Sequence, residues 1–362
     1  MAAQATRELQ RSYLVTSVGT RVGRAGRRLI RRIDDERTLR GRRPPALQLT
    51  TSSSSPAIYY LCPDYPVPAG GIRTIYRHVD ILNQAGCNSA VLHHRDGFAC
   101  RWFDHSTRTL GAPSARISPD DVLVIPEIYG PFLERFPREL RLVCFNQNAY
   151  LTFEHLPPAR ALRYDAFEVV ITVSPDSAEY LRFAFPGVKA TVLDYAIDPA
   201  VFHPSPTIPP KRIAMMPRKR RADAAHVLRL LGDRARDWEI VTIEDASELE
   251  TAALLRSSPI FLAFGWREGF GLPAAEAMAA GCYVIGFPGF GGRELFDPSF
   301  SDAIEDGDVL AMARAIDERL RVYERDPIAV REAGARAAAH IRERYSLERL
   351  RSALIATYES LI

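Results

Sequence analysis

Residues 264–281, FGWREGFGLPAAEAMAAG, decide how this chain is read. They follow the apolar run Pro259-Ile260-Phe261-Leu262-Ala263 and carry a glycine turn, Gly269-Phe270-Gly271, into a helix-compatible segment opened by Leu272-Pro273. A strand, a glycine turn and a helix start suit a phosphate, because the first turn of a helix leaves N–H groups unpaired at its positive end. Proline is well placed in that turn, so residues 270–272 are expected to present free backbone N–H groups. The same stretch fits the dinucleotide fingerprint G-x-G-x-x-A. Its surroundings fit poorly. The motif lies several strands into its series, and the next apolar run, 282–287, ends in Pro288-Gly289-Phe290-Gly291-Gly292 where an acidic ribose ligand belongs. What the fingerprint omits is a pair of carboxylates, Glu268 before the first glycine and Glu276 eight positions later. Glu268 is expected to face a ligand from the loop, and Glu276, one turn into the helix, to accept hydrogen bonds from its hydroxyls. A ligand with phosphates, a sugar and a ribose satisfies every part.

Outward from this motif the pattern alternates. Apolar runs at 212–216, 239–243, 259–264 and 282–287 are separated by helical segments at 222–233, 247–258 and 273–280, which predicts a doubly wound parallel sheet. A similar series precedes it: a strand at 58–62, a Gly70-Gly71 loop, a helix over 72–86, and apolar runs near 89, 122, 141, 169 and 190. Pro199, Pro204, Pro206, Pro209 and Pro210 punctuate the junction between the two series. From about Asp308 the tail is helical, broken near Pro327 and restarting after Tyr345-Ser346. The fold class is therefore α/β, with two Rossmann-like doubly wound domains. The expected boundaries are a basic arm and linker at 1–55, a first domain at 56–200, a second at 201–340 and a closing helix at 341–362.

The 362 residues are 47% hydrophobic and 25% charged, as in a soluble globular protein, and no apolar run reaches the roughly 18 residues of a spanning helix. The first twenty residues hold no apolar core of a secretory signal, so a cytoplasmic location is expected. Five scattered cysteines form no C-x-x-C pair and read as buried thiols. The net charge of +3 hides an asymmetry: residues 1–43 carry +8 and the remainder −5. Residues 10–33 set apolar side chains among arginines at an imperfect helical period. They are either a solvated basic arm or a peripheral contact to an anionic membrane surface. Aromatic interleaving is missing, so nucleic acid is not expected as a partner. Residues 48–56, QLTTSSSSP, read as a polar linker.

The two series and the E-x7-E motif resemble the GT-B glycosyltransferases, in particular the retaining family 4-like enzymes. "VKATVLDYAIDPAVFHP" (188–204) is similar to the stretch that ends their first domain, "MMPRKRR" (215–221) to the basic turn of the second, and "RYSLERLRSALIATYESLI" (344–362) to their closing helix. The wording around 218–220 and 146–148 is most similar to polysaccharide and rhamnosyltransferase members. The resemblance spans about 57–362. It implies two domains facing across a cleft, with a nucleotide-diphosphate sugar as donor and a glycan, lipid-linked or small-molecule acceptor of envelope polysaccharide type. No cofactor and no metal are implied, and no D-x-D stands at a strand end to call for one.

By the same resemblance Glu268 binds and orients the donor sugar, Arg218 and Lys219 clamp the diphosphate, and Glu276 takes the ribose. Gly71, Phe270, Gly271 and Leu272 line the donor. Gly70 and Arg73 are acceptor or cleft residues. Arg220 and Arg221 leave the choice of clamp residues open. The chain departs from the family after the run 141–145. Where many members have a cleft histidine it has Asn146-Gln147-Asn148, and amides cannot serve as a general base near neutral pH. Asn146 and Asn148 are expected to position groups there, the departing phosphate itself taking the acceptor's proton. His78, His93, His94 and His155 are read as structural. Two other functions remain open: hydrolysis with Glu268 and Glu276 as acid and nucleophile, and a noncatalytic nucleotide-sugar-binding scaffold.

Overall fold

Two all-parallel sheets organise the chain. A computed structural model describes residues 38, 42–156 and 161–361. The basic stretch 10–33 lies outside the described residues. The chain separates into two compact units. One comprises residues 1–43 with Phe153–Ala161, in which Arg42 pairs with Glu154 at 3.0 Å. The other, residues 44–152 and 162–362, carries both sheets and everything described below.

The first sheet has seven strands in the order β3-β2-β1-β4-β5-β6-β7: β1 (Ile58–Leu61), β2 (Ser89–His93), β3 (Thr109–Gly111), β4 (Val122–Pro126), β5 (Arg141–Asn146), β6 (Val169–Thr172) and β7 (Ala190–Val192). Helix α1 (Gly70–Gln84) connects β1 to β2, and α2 (Pro175–Ala184) connects β6 to β7. The second sheet has five strands in the order β12-β11-β10-β8-β9: β8 (Arg212–Met215), β9 (Glu239–Thr242), β10 (Ile260–Phe264), β11 (Tyr283–Phe287) and β12 (Ser301–Ala303). Its helices are α3 (Arg221–Leu231), α4 (Glu248–Arg256) and α5 (Leu272–Ala279). Strands β1, β4, β10 and β11 are buried along their whole length. Parallel strands are covered on both faces, which is why each reads as an unbroken apolar run.

Three helices close the chain: α6 (Val309–Arg325), α7 (Pro327–Arg344) and α8 (Leu347–Glu359). The break near Pro327 is a double cap. Asp326 ends α6, and its carboxylate accepts from the N–H groups of Ile328 and Ala329 while Pro327 opens α7. Helix α8 returns to the first sheet, where the hydroxyls of Tyr358 and Tyr60 meet at 2.7 Å.

The structure departs from the sequence reading in three places. The glycine pair is not a loop, because α1 begins at Gly70, with Ala69 as its cap. Residues 48–56 are not a free linker. Leu49 bridges Ile117 in parallel, and the N–H of Ile117 donates to the Gln48 carbonyl at 2.9 Å. Strands β3 and β12 are additional three-residue edges.

Candidate functional site

In an open parallel sheet, the crevice at the carboxyl ends of the strands opens where the chain reverses its direction of travel across the sheet. In the second sheet that point lies between β8 and β10, which pair through Ile213 and Ile260. The turn after β8 carries Arg218-Lys219 and the turn after β10 carries Glu268. They meet there: the Lys219 Nζ donates to Glu268 Oε1 at 2.8 Å. Glu268 is pinned by its backbone, whose N–H donates to the Gly289 carbonyl at 2.7 Å and whose carbonyl accepts from Gly291 at 3.1 Å.

The four basic residues of the β8 turn divide cleanly. Arg220 is buried, bonded to Asp223 and Asp306, with its guanidinium over the Trp266 and Phe287 rings. Arg221 pairs with Glu244 at 2.9 Å. Arg218 and Lys219 are exposed, and among the described residues Arg218 makes no ion pair. Tertiary partners distinguish the four: two arginines brace the turn, and Arg218 with Lys219 is exposed.

Behind them α5 begins. Gly271 caps it at φ 93°, a left-handed conformation that side-chain-bearing residues adopt at a cost. The Phe270 ring is turned into the core between Tyr195 and Tyr345, each 5.1 Å away, so Phe270 offers the site only its backbone. Among the described residues the N–H groups of 270–272 make no backbone hydrogen bond, while the Gly271 carbonyl accepts from Ala274 and Ala275. That is an unpaired helix start beside two exposed cations.

The first sheet supplies the opposite wall. A Cβ on Gly70 would stand 2.5 Å from Leu272 Cδ1, and one on Gly71 would stand 3.0 Å from Gln147 Oε1. These glycines therefore permit close approach within a helix; no turn requires them. Gln147 was not singled out in the sequence, yet it occupies the junction. Its N–H donates to Glu127, its amide oxygen accepts from the Tyr195 hydroxyl at 2.7 Å, and its carbonyl would lie 2.0 Å from a Cβ on Gly269. The only hint was its place between the two asparagines.

Those asparagines part company. Asn148 reaches the second sheet, its Nδ2 donating to the Arg267 carbonyl at 2.8 Å. Asn146 corrects the expectation. It is fully buried, its amide donating to Thr152 and Tyr164, because as the last residue of β5 it points into the packed face of the first sheet. It cannot touch a ligand in the cleft.

Arg73, expected as an acceptor or cleft residue, reaches from α1 to the second sheet: its guanidinium bonds Glu276 and pairs with Glu248 at 2.8 Å. The histidines offer no base here. Burial pushes the His78 imidazole down to about 3, and His93 to about 4 despite Asp64. A cavity of about 420 Å³ lies beside β12, bounded by Phe296, Asp302 and Arg319, and shares no residue with this constellation. The convergent charges, the free helix start and the reversal point locate the chemistry better than that hollow does.

No protein-family model matches the chain. A curated alpha-1,6-glucosyltransferase of Actinobacillus pleuropneumoniae serotype 7 is 24% identical over 285 residues, 72% of this chain and 82% of the relative. Among solved structures, a sucrose-phosphate synthase of Thermosynechococcus elongatus superposes with TM-score 0.62 at 14% identity, covering 84% of this chain and 99% of that one. Anabaena HepE, solved with UDP and glucose, superposes at 0.59 with 14% identity and the same coverage. The chain has the GT-B fold, and fold, site and curated relative together define its class: a glycosyltransferase.

Proposed function

We propose that the second sheet binds a nucleotide-diphosphate sugar and that the chain transfers its sugar to a hydroxyl of a glycan or lipid-linked acceptor, with retention, as a family 4-type enzyme. The observation that carries this is the Lys219–Glu268 pair at the reversal point of the second sheet, next to the unpaired start of α5. Arg218, Lys219 and the N–H groups of 270–272 stabilise the negative charge that develops on the departing diphosphate. These two cations and the start of α5 carry that charge without a metal. Glu268 holds the donor sugar's hydroxyls and Glu276 the ribose.

Among the groups described, none is placed as a general base, so the departing phosphate oxygen takes the acceptor's proton on the face from which it leaves. The new glycosidic bond then forms on that same face, and the anomeric configuration is kept. The name of the curated relative specifies an alpha linkage, the product that retention gives where the donor is alpha-configured. Gln147 and Asn148 replace the cleft histidine as positioning amides. The deoxysugar or hexose specificity, and a role in envelope polysaccharide, rest on the resemblance of 146–148 and 218–220. Among the described residues no helix is long and apolar enough to cross a membrane. The charge pattern of residues 10–33 supports docking on an anionic membrane surface.

Incubation with UDP-, GDP-, dTDP- and ADP-sugars together with glycan acceptors tests the reading. Nucleotide release coupled to product formation supports it. Glycan cleavage without donor would favour hydrolysis by the two carboxylates, and tight binding without turnover a scaffold.

A further inference from the structure

The two halves of the unit share one buried ionic cluster. Arg73 and Arg77, one turn apart on α1, come from the first sheet; Glu276 on α5 and Glu248 at the start of α4 come from the second. Arg73 touches both carboxylates, and Arg77 lies 3.6 Å from Glu248 while also donating to the Ala196 carbonyl at 3.1 Å. The Glu276 side chain is only 7% exposed and that of Arg73 11%. We propose that Arg73, although carried by the first sheet, is a positioning residue of the nucleotide site on the second: it holds Glu276 ionised and aimed, so that recognition of the ribose depends on apposition of the halves. This rests on the assignment of Glu276 to the ribose.

The argument is one of charge and valence. A carboxylate taken out of water neutralises unless it is paired, and a neutral acid is a poorer acceptor for a hydroxyl. Burial raises the Glu276 carboxyl above its ordinary value, and Arg73, the nearest cation, opposes that rise without cancelling it. Glu248 adds to the upward push and Arg77 opposes it. Arg73 in turn loses stability as a cation through burial but gains more from Glu276 and Glu248, so it stays charged. Arg73 engages only Oε1 of Glu276; among the described residues nothing bonds Oε2, which leaves that oxygen for a ribose hydroxyl. Gly70 and Gly71, in the same first turn of α1, allow the close approach of Leu272 and Gln147 beside it.

The test uses full-length protein and calorimetric titration with UDP and 2′,3′-dideoxy-UDP, or the matching pair for the base the protein selects. The readout is the ratio of dissociation constants, deoxy over ribo. A hydrogen bond to a charged group makes that ratio about 10 to 100 in the parent protein. Arg73→Gln is expected to lower it towards unity at pH 7 and to let it rise again as the pH is raised and Glu276 ionises unaided. Arg73→Lys is expected to keep the parent ratio throughout. A folded Arg73→Gln protein with the parent ratio from pH 6 to 9, or a folded Arg73→Lys protein that loses it, overturns the proposal. If Glu276→Gln collapses the ratio while Arg73→Gln does not, only the proposal fails. If Glu276→Gln itself keeps the parent ratio, the ribose assignment fails with it.

Discussion

Replacement of Lys219 by alanine separates catalysis from stability more sharply than any other single change. In the folded chain the ammonium sits 2.8 Å from Glu268, with the two side chains 35% and 24% exposed. A pair this open to water contributes only about 0.2–1 kcal/mol to folding. In a chain of 362 residues its loss should move the thermal midpoint by at most a few degrees. The same ammonium is assigned to the departing diphosphate, where loss of one aligned donor costs about 3 kcal/mol of transition-state stabilisation, or 10²–10³ in kcat. The assay is nucleotide release at saturating donor, run beside a thermal melt. Lys219→Ala should lose two to three orders of magnitude in kcat with an almost unchanged melt. A kcat within tenfold of the parent would refute the clamp. A collapse of the melting temperature would instead show that the pair braces the β8 turn.

Other consequences follow from the same geometry. Gly271→Ala forces a side chain into the left-handed cap of α5 at φ 93° and should cost about 1–2 kcal/mol of stability by chemical denaturation, with a larger loss of donor affinity as the turn shifts. Chelation by EDTA should leave initial rates unchanged, since the diphosphate charge is assigned to Arg218, Lys219 and a helix start; loss of activity restored by a divalent cation would contradict that. The buried imidazoles His78 and His93 have folded values near 3 and 4, below the ordinary 6.5, so the unfolded chain binds more protons between these limits. Their contribution to stability is present above pH 6.5 and is lost as the pH falls towards those folded values. His78→Gln should flatten this acid limb of the melting curve, and an unaltered slope between pH 6.5 and 4 would count against it.

How much of this was readable from the residues depends on the range of the interaction. The long buried strands announced themselves as apolar runs, and Pro273 after a glycine turn announced the start of α5, because those signals are local. The edges β3 and β12, three residues each, are too short for any periodicity to register. Gly70 and Gly71 suggested a loop because glycine usually marks one. Here they open a helix, and what needs them is the close approach of Leu272 and Gln147, far away in sequence. The carboxylates Glu268 and Glu276 were conspicuous by spacing, but their partners were not. Arg73 lies 203 positions before Glu276, and Lys219 lies 49 before Glu268. Asn146 and Asn148 looked equivalent as letters. Asn146 is the last residue of β5 and is buried in its packed face, whereas Asn148 lies beyond the strand as the cap of a short turn, which leaves Gln147 and Asn148 at the junction.

A crystal structure of the protein with an intact nucleotide-diphosphate sugar bears most directly on the central claim. The account expects the diphosphate oxygens within hydrogen-bonding distance of Lys219 and of the N–H groups at 270–272, the sugar hydroxyls on Glu268 and the ribose on Glu276. A nucleotide seated away from the carboxyl ends of β8 and β10, with Lys219 and Glu268 still paired to each other and touching no ligand, would contradict it.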